Sequence, residues 1–406
     1  MIPRRYQLKK DAVAIVERGH PWLFRAQMST AAQVFADGQW LRLVDGANRV
    51  IGHGIYEADG SIAVRVLRRG PQLPDAAWAR AQVAAALARR EALAAHTTGL
   101  RLVHGESDGL PAVVVDRFGE TLVVASYSAG ADALARYVAR VLSALGADPA
   151  DPRARIGLAG SPAAARAIVG RATAVLLRPA RRRRGPPAEP RALRGTAPAV
   201  AEFVEDGVRC AVDLEGGHKT GTYLDLRGLR GAIARAPLAG ARVLNLFAYT
   251  GLLGRAAEAA GAAEIVQVDQ SARALAFAAA HHVADPAKHR FVEADVFAWL
   301  PAAAGTYDLV IVDPPSMTSQ AKQLPAVLAA YRKLYTAARG LVAPGGALVA
   351  ACCTSRVERD VFQATVRGAL GPPFELERDL PPEVDHPAPF AQADYLKIGW
   401  WRERSR

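Results

Sequence analysis

The 406 residues are enough for two or three domains, and a hydrophobic content of 51% allows a full core, which excludes a disordered chain. Three cysteines, Cys210, Cys352 and Cys353, make no disulfide framework, so a stapled secreted module is excluded and a cytoplasmic location is expected. The net charge of +12 favours an anionic partner such as nucleic acid, yet seven arginines between Arg178 and Arg194 against the single Glu189 supply a net +6, half of that excess.

Basic residues at the N-terminus surround no apolar stretch, so no signal peptide is expected. No run of eighteen apolar residues is present, so no membrane span is expected either. Residues 1–70 read as a small β-barrel-like domain. Strands are predicted at Gln39–Val44, Val50–Tyr56 and Ile62–Leu67, separated by the turn dipeptides Asp45-Gly46 and Asp59-Gly60. His20, Trp22, Phe24 and Arg25 precede them, close to Arg4, Arg5, Lys9, Lys10 and Arg18. Rings beside cations suit RNA, because bases stack while cations meet phosphates; the same rings also suit a core.

Residues 71–199 read as a central α+β domain. A helix is predicted over Asp75–Ala95 and another over Ala131–Leu145, with strands at Leu100–Val103, Ala112–Val115 and Thr121–Ser126. Residues 146–199, with their Pro, Gly and Arg, read as a flexible connection that allows one strand at Ala174–Leu177.

Residues 200–406 carry an alternating pattern. After a hairpin at Phe203–Leu214 come strands at 243–247, 265–268, 290–293, 308–312 and 347–351, with helices at 271–282 and 325–340. Such alternation predicts a parallel sheet covered on both faces, a Rossmann-like α/β fold. Its first strand runs into Phe247-Ala248-Tyr249-Thr250-Gly251, and its second closes on Asp269 about 18 residues past the glycine, where a carboxylate can hold ribose hydroxyls. The turn lacks GxGxxG, which favours an adenosyl cofactor over a dinucleotide. Asp295 follows the third strand, in place for an adenine amino group. Asp313 closes the fourth, ahead of Pro314-Pro315, which fix the backbone. The fifth strand ends at Cys352-Cys353, and alternation along a strand lets only one of the two thiols face the cleft.

Taken together, HPWLF at 20–24, RLVHGESDGLPAVVVDRFG at 101–119, GHKTGTYLDLR at 217–227, NLFAYTG at 245–251, VDPP at 312–315, DHP at 385–387 and YLK at 395–397 keep the order of a known family. The chain resembles the bacterial large-subunit ribosomal RNA (cytosine-5) methyltransferase I family, class I S-adenosylmethionine-dependent enzymes. The resemblance implies a PUA domain, a central α+β domain and a C-terminal methyltransferase domain. It implies S-adenosylmethionine on Phe247, Tyr249, Thr250, Gly251, Asp269, Asp295 and Asp313, with Lys219, Tyr223 and Asp225 contributing. It also implies an RNA partner, no membrane, no metal and room for a homodimer.

In that family the cysteine at the position of Cys353 attacks carbon 6 of cytosine, which makes carbon 5 nucleophilic, and Asp313 binds the base edge. Cys352 is expected in the core. Two rival readings are a guanine-N2 or other exocyclic-amine methyltransferase, which needs no thiol, and a non-catalytic RNA-binding assembly factor. The chain departs from the family pattern at Ser316-Met317, where Lys, Thr or Ala and then an aromatic are usual, and at Cys352-Cys353-Thr354, where serines usually flank the cysteine. Residues 153–184 match it poorly.

Overall fold

The computed structural model describes residues 2–29, 34–148, 151, 162–180, 189–318 and 323–404. They form two compact units: residues 1–222 with 384–387, and residues 223–383 with 388–406. The arginines at 181–184 lie outside the described residues.

The first unit opens with β1 (Arg4–Gln7), α1 (Lys10–Glu17), β2 (Trp22–Phe24), β3 (Trp40–Val44), β4 (Val50–Tyr56) and β5 (Ile62–Arg69). Their sheet has the order β1-β3-β4-β5-β2. It closes over Tyr6, Leu8, Leu23, Leu41, Leu43 and Val64, with Ala12 and Val16 of α1 in the same core. Only three residues of β2 pair with β5, so the HPWLF stretch is itself an edge strand.

Next come α2 (Ala76–Ala88), α3 (Glu91–Ala94), β6 (Gly99–His104), β7 (Val113–Phe118), β8 (Thr121–Ser126), α4 (Asp132–Leu145), α5 (Pro162–Val169), β9 (Ala174–Arg178) and β10 (Arg191–Arg194). The sheet order is β10-β9-β8-β7-β6. Two expectations change here. The helix over Asp75–Ala95 is broken after α2, because the buried Arg90 turns inward to donate to Asp108, to the Arg101 carbonyl and to the Ala86 carbonyl. The described part of 146–199 is not merely a connection. Ile168 and Val169 of α5, and Val175 and Leu177 of β9, belong to the central core, and β9 runs parallel to β8. The hairpin of β11 (Val200–Glu205) and β12 (Val208–Asp213) follows, turning at Asp206-Gly207.

The second unit contains α6 (Arg227–Ala234), β13 (Arg242–Leu246), α7 (Leu252–Ala259), β14 (Glu264–Asp269), α8 (Ala272–His281), β15 (His289–Glu293), α9 (Val296–Trp299), β16 (Tyr307–Val312), α10 (Leu324–Arg339), β17 (Val342–Cys352), α11 (Arg359–Leu370), β18 (Phe374–Leu380) and β19 (Lys397–Glu403). Its sheet runs β15-β14-β13-β16-β17-β19-β18. The first five strands are parallel, while β19 lies antiparallel to both β17 and β18. Strand order reverses on either side of β13, so a crevice forms at the carboxyl ends of β13 and β16. One core packs beneath α10 and α11, and a second beneath α6 and α7. β17 starts earlier than the 347–351 expected, because its register with β16 shifts across Pro344-Gly345-Gly346 and absorbs them.

Candidate active site

β13 delivers the chain into a tight turn. Phe247 has φ +60°, Tyr249 +48° and Gly251 +77°. Two non-glycine residues in the left-handed region cost on the order of 1–3 kcal/mol each and persist only where surroundings impose them. Those surroundings are specific. The Ala248 amide donates to the Val268 carbonyl at 3.0 Å, and the Tyr249 amide to Asp269 Oδ2 at 2.8 Å. The buried His282 meets the Thr250 carbonyl through Nδ1 at 2.5 Å. A Cβ on Gly251 would stand 2.8 Å from the Ala278 Cβ, so the turn fits closely against α8.

Asp269 closes β14 and also accepts from the Ser271 amide at 2.9 Å through Oδ1. Each carboxylate oxygen has a second lone pair, so ribose hydroxyls can share them. Asp295 caps α9, accepting from the Phe297 amide at 2.9 Å, and is exposed. The rings of Phe247 and Phe297 meet edge-on, with centroids 5.5 Å apart.

At the end of β16, the half-buried Asp313 leads into the buried Pro314. Cys353 lies just past β17, and its thiol is 3.6 Å from the Pro314 carbonyl. Cys352 points the other way and is fully buried. Thr354 joins both turns, since its hydroxyl meets Tyr331 Oη at 2.9 Å and accepts from the Met317 amide at 3.3 Å.

Tyr223 stands edge-on to Tyr249 with centroids 5.4 Å apart. Burial pushes its phenol well up, and Tyr249, Asp313, Cys353 and Asp225 add to the shift, which puts these five groups in one neighbourhood. The buried Asp225 accepts from the Tyr395 hydroxyl at 2.5 Å.

Phe247, Tyr249, Thr250, Gly251, Asp269 and Asp295 thus gather at the ends of β13 and β14. Tyr223, Asp225, Asp313 and Cys353 gather at the ends of β16 and β17. Lys219, His20, Trp22, Phe24 and Arg25 belong to the first unit. There His20, Trp22 and Phe24 form a cluster of half-buried rings, with centroids 5.8–6.3 Å apart. Trp22 Nε1 donates to Glu106 at 2.8 Å. Arg25 donates to the carbonyls of Glu57, Gly60 and Ile62, so its guanidinium closes the turn between β4 and β5. A separate groove of about 290 Å³, lined by Leu238, Asp308, Gly345 and Arg402, sits at the amino ends of β13 and β16, at the opposite edge of the sheet from the site residues of the second unit.

Reading the sequence missed His282, Thr354 and the neighbourhood of Tyr395. The motif YLK at 395–397 was the signal for the last.

Residues 153–397 match the family model of an S-adenosylmethionine-dependent methyltransferase, and residues 7–69 that of a PUA-like domain. A Deinococcus radiodurans protein named ribosomal RNA large subunit methyltransferase is 34% identical, covering 97% of this chain and 96% of its own length. A Shewanella amazonensis protein named ribosomal RNA large subunit methyltransferase I is 33% identical over 97% and 98%. Among solved structures, a putative SAM-dependent methyltransferase from Streptococcus mutans superposes with a TM-score of 0.79, at 21% identity, over 98% of this chain and 100% of that one. A putative methyltransferase complexed with SAH gives the same TM-score at 20% identity, covering 98% and 100%.

Proposed function

The chain belongs to the ribosomal RNA large subunit methyltransferase I family, within the S-adenosylmethionine-dependent methyltransferases, and from that membership we propose that it methylates carbon 5 of a cytosine through a bond between Cys353 Sγ and carbon 6. The observation that carries this reading is the position of Cys353, whose thiol lies against the Pro314 carbonyl one residue beyond Asp313. Among the described residues, no helix is long and apolar enough to cross a membrane.

The residues at the first crevice fit an adenosyl group. The strained turn 247–251 presents backbone beside Asp269, and Asp295 lies next to the Phe247–Phe297 pair. S-adenosylmethionine, when bound, supplies an electrophilic methyl group on a sulfonium. An unactivated cytosine carbon 5 is too weak a nucleophile to accept it, and the protein's task is to change that. The Cys353 thiolate pair forms the Sγ–carbon 6 bond, and the carbon 5–carbon 6 π pair moves to carbon 5. After methylation, water takes the carbon 5 proton, the pair of that bond restores the ring double bond, and the Sγ–carbon 6 pair leaves with sulfur. Asp313 accepts a hydrogen bond from the exocyclic amino group and holds the base edge while this happens.

Residues 1–70 serve as an accessory RNA surface in this reading. Lys9, Lys10 and Arg18 are exposed on the same sheet domain as the ring cluster. Reversing Lys9 and Lys10 to Glu is expected to flatten the salt dependence of RNA binding by about 1–2 in log–log slope. An unchanged slope removes these two residues from the surface.

The function is tested with methyl-labelled S-adenosylmethionine, large-subunit ribosomal RNA and digestion to nucleosides. Label in 5-methylcytidine is expected. Label in an N2-methylguanosine, or none at all, overturns the reading in favour of the exocyclic-amine enzyme or the assembly factor. RNA bearing 5-fluorocytidine should trap a covalent adduct with the wild type but not with Cys353→Ala, because fluorine cannot leave as the proton does. Cys353→Ala should lose about 10⁴-fold or more in rate.

A further inference from the structure

The first sheet of the first unit turns one face to the core of Leu41, Leu43 and Val64. Two rows of side chains cross its other face, because residues opposite one another on neighbouring strands point to the same side. In one row Trp22 of β2 pairs with Arg65 of β5, Arg65 with Ile55 of β4, and Ile55 with Trp40 of β3. In the next row Arg68 of β5 pairs with His53 of β4, His53 with Arg42 of β3, and Arg42 with Arg5 of β1. Arg65 and Arg68 are three residues apart and would face opposite ways on a regular strand. The register of β5 against β4 shifts between them, which turns both arms to this face.

The first row is taken up by packing. Ile55 belongs to the core of the central sheet. Trp40 Nε1 donates to the Gly130 carbonyl at 3.1 Å, and Trp22 Nε1 to Glu106 at 2.8 Å. Arg65 is paired with Glu57 at 2.8 Å and with Glu106. The second row has no such cover. Arg5 and Arg42 are exposed, and Arg68 is half-buried. Arg5 donates to the neutral side chains of Asn48 at 2.8 Å and Gln7 at 3.4 Å, and Arg68 to the Leu73 carbonyl at 2.9 Å. Among the described residues, no carboxylate pairs with any of the three, and Arg42 makes no hydrogen bond. Like charges opposite one another on neighbouring strands weaken pairing, so the row costs stability and adds nothing to the core.

We propose that Arg5, Arg42 and Arg68 form a track for the phosphate backbone of RNA, which holds the substrate by charge and reads no base. The proposal rests on the reading of residues 1–70 as an RNA surface, and it places the contact on a row of side chains outside the ring cluster. The row crosses three inter-strand spacings of about 4.8 Å, about 14 Å in all, so its guanidinium forks can meet successive phosphates of one strand. His53 is the floor between Arg42 and Arg68 and is only 1% exposed. Burial, and then those two guanidinium groups, hold its imidazole below the ordinary range. The middle of the row is therefore neutral, with a cationic arm on either side. No exposed ring lies in the row for a base to stack on, which leaves the backbone as its ligand.

Fluorescence anisotropy tests this with the full-length protein, a labelled fragment of large-subunit ribosomal RNA and an unrelated RNA of equal length, from about 50 to 200 mM salt. Arg42→Gln combined with Arg68→Gln is expected to lower the log–log salt slope by about 1.5 and the affinity by about tenfold, equally on both RNAs. The melting temperature should hold or rise, because repulsion along the row is relieved, whereas a structural role would lower it. Arg171→Gln combined with Arg209→Gln removes two exposed charges elsewhere in the same unit and should leave the slope unchanged. An unchanged slope in the Arg42 and Arg68 variant overturns the proposal and leaves an acidic protein surface as the occupant of the row. An equal fall in the second variant also overturns it, since net charge alone would then act. So does a loss confined to one RNA, since base contacts would then carry the binding. Should the double variant not fold, Arg42→Gln alone, which breaks no hydrogen bond, is read the same way at half the change in slope. If the wild type binds neither RNA, the reading of residues 1–70 fails and the row fails with it. If reversing Lys9 and Lys10 flattens the slope while the Arg42 and Arg68 variant does not, that reading stands and only the row is removed.

Discussion

Two buried polar clusters of this protein solve opposite problems. In the first unit, Asp108 is gripped by the Arg90 fork at 2.9 and 2.6 Å, by Arg89 at 3.1 Å and by the His104 amide at 2.6 Å. Asp116 holds the Arg101 fork at 2.8 Å twice and accepts from Thr220 at 2.5 Å. Asp385 accepts from the Arg101 amide at 2.9 Å, and its carbonyl accepts from Arg90 at 2.9 Å. Each carboxylate in this network meets a positive charge or a backbone donor in good geometry, so the network fixes shape and has little left for a ligand. In the second unit, the buried Lys397 ammonium bonds only carbonyls among the described residues, two non-glycine residues of the turn 247–251 sit at positive φ, and a thiol lies against a carbonyl. Unspent charge and imposed strain are what a site retains for substrate.

The sharpest way to break this contrast is to damage the saturated cluster. Asp108→Ala leaves the Arg90 guanidinium buried without its partner and is expected to destabilise the first unit by about 3–5 kcal/mol. Urea denaturation measures this. Cofactor affinity of the protein that remains folded should not change. A loss below about 1 kcal/mol would show that the network is looser than its geometry.

At the site, Asp269→Ala is expected to weaken S-adenosylmethionine binding by about 1–3 kcal/mol, because charge-assisted hydrogen bonds to ribose are lost. The Tyr249 and Ser271 amides lose their acceptor in the same variant, so a smaller drop in stability should accompany it. Asp269→Asn keeps an acceptor and should fall between the two. Calorimetry showing unchanged affinity in Asp269→Ala would remove Asp269 from the cofactor site.

The saturated cluster also makes a pH prediction. Burial, with Arg101, His386 and Arg90 adding to it, holds His104 neutral far below the ordinary imidazole range. The unfolded chain binds that proton below about pH 6.5 while the folded chain does not, so stability is full above that pH and falls as pH drops through it. The expected slope is about 1.4 kcal/mol per pH unit for this group. Denaturation at pH 7 and pH 5.5, compared with His104→Gln, isolates it. An identical slope in the variant would mean that His104 takes up its proton when folded.

Much of the parallel sheet was legible because its strands are apolar runs bounded by turn residues. β13, β14, β15 and β16 lie within one residue of their expected spans, and in the two five-stranded sheets β4 and β8 match theirs. The acids of the candidate site could be located for the same reason, since a parallel sheet gathers the ends of its strands at one edge. α5 was hidden by Ala and Arg, which give weak periodicity, whereas β9 lies within one residue of the strand allowed at Ala174–Leu177. The break at Arg90 was hidden because it depends on Asp108, 18 residues away. Lys397 and Tyr395 were invisible as neighbours of Thr354 at the end of β17. Their place depends on β19 returning antiparallel beside β17, a pairing of distant segments that no local pattern announces.

The smallest expected effect discriminates best within the second cluster. Cys352 and Cys353 are chemically identical and adjacent, yet the strand sends them to opposite sides. Cys352 is fully buried in the core that contains Tyr331, Tyr335 and Phe362. Its removal deletes one buried sulfur, and Cys352→Ala should cost about 1 kcal/mol of stability through the small cavity left behind. Methyl transfer should stay within about twofold of wild type, and the 5-fluorocytidine adduct should still form. Cys353→Ala should show the reverse: nearly unchanged stability, because the thiol is half-buried and its 3.6 Å contact with the Pro314 carbonyl is a weak one, and no adduct. If the two variants exchange these phenotypes, the reacting thiol is the one paired across the sheet with Lys397, and the strand presents the opposite face to the base. If both variants transfer methyl at the wild-type rate and neither forms an adduct, no thiol takes part, and Asp313 and its two prolines are left to act on an exocyclic amine instead.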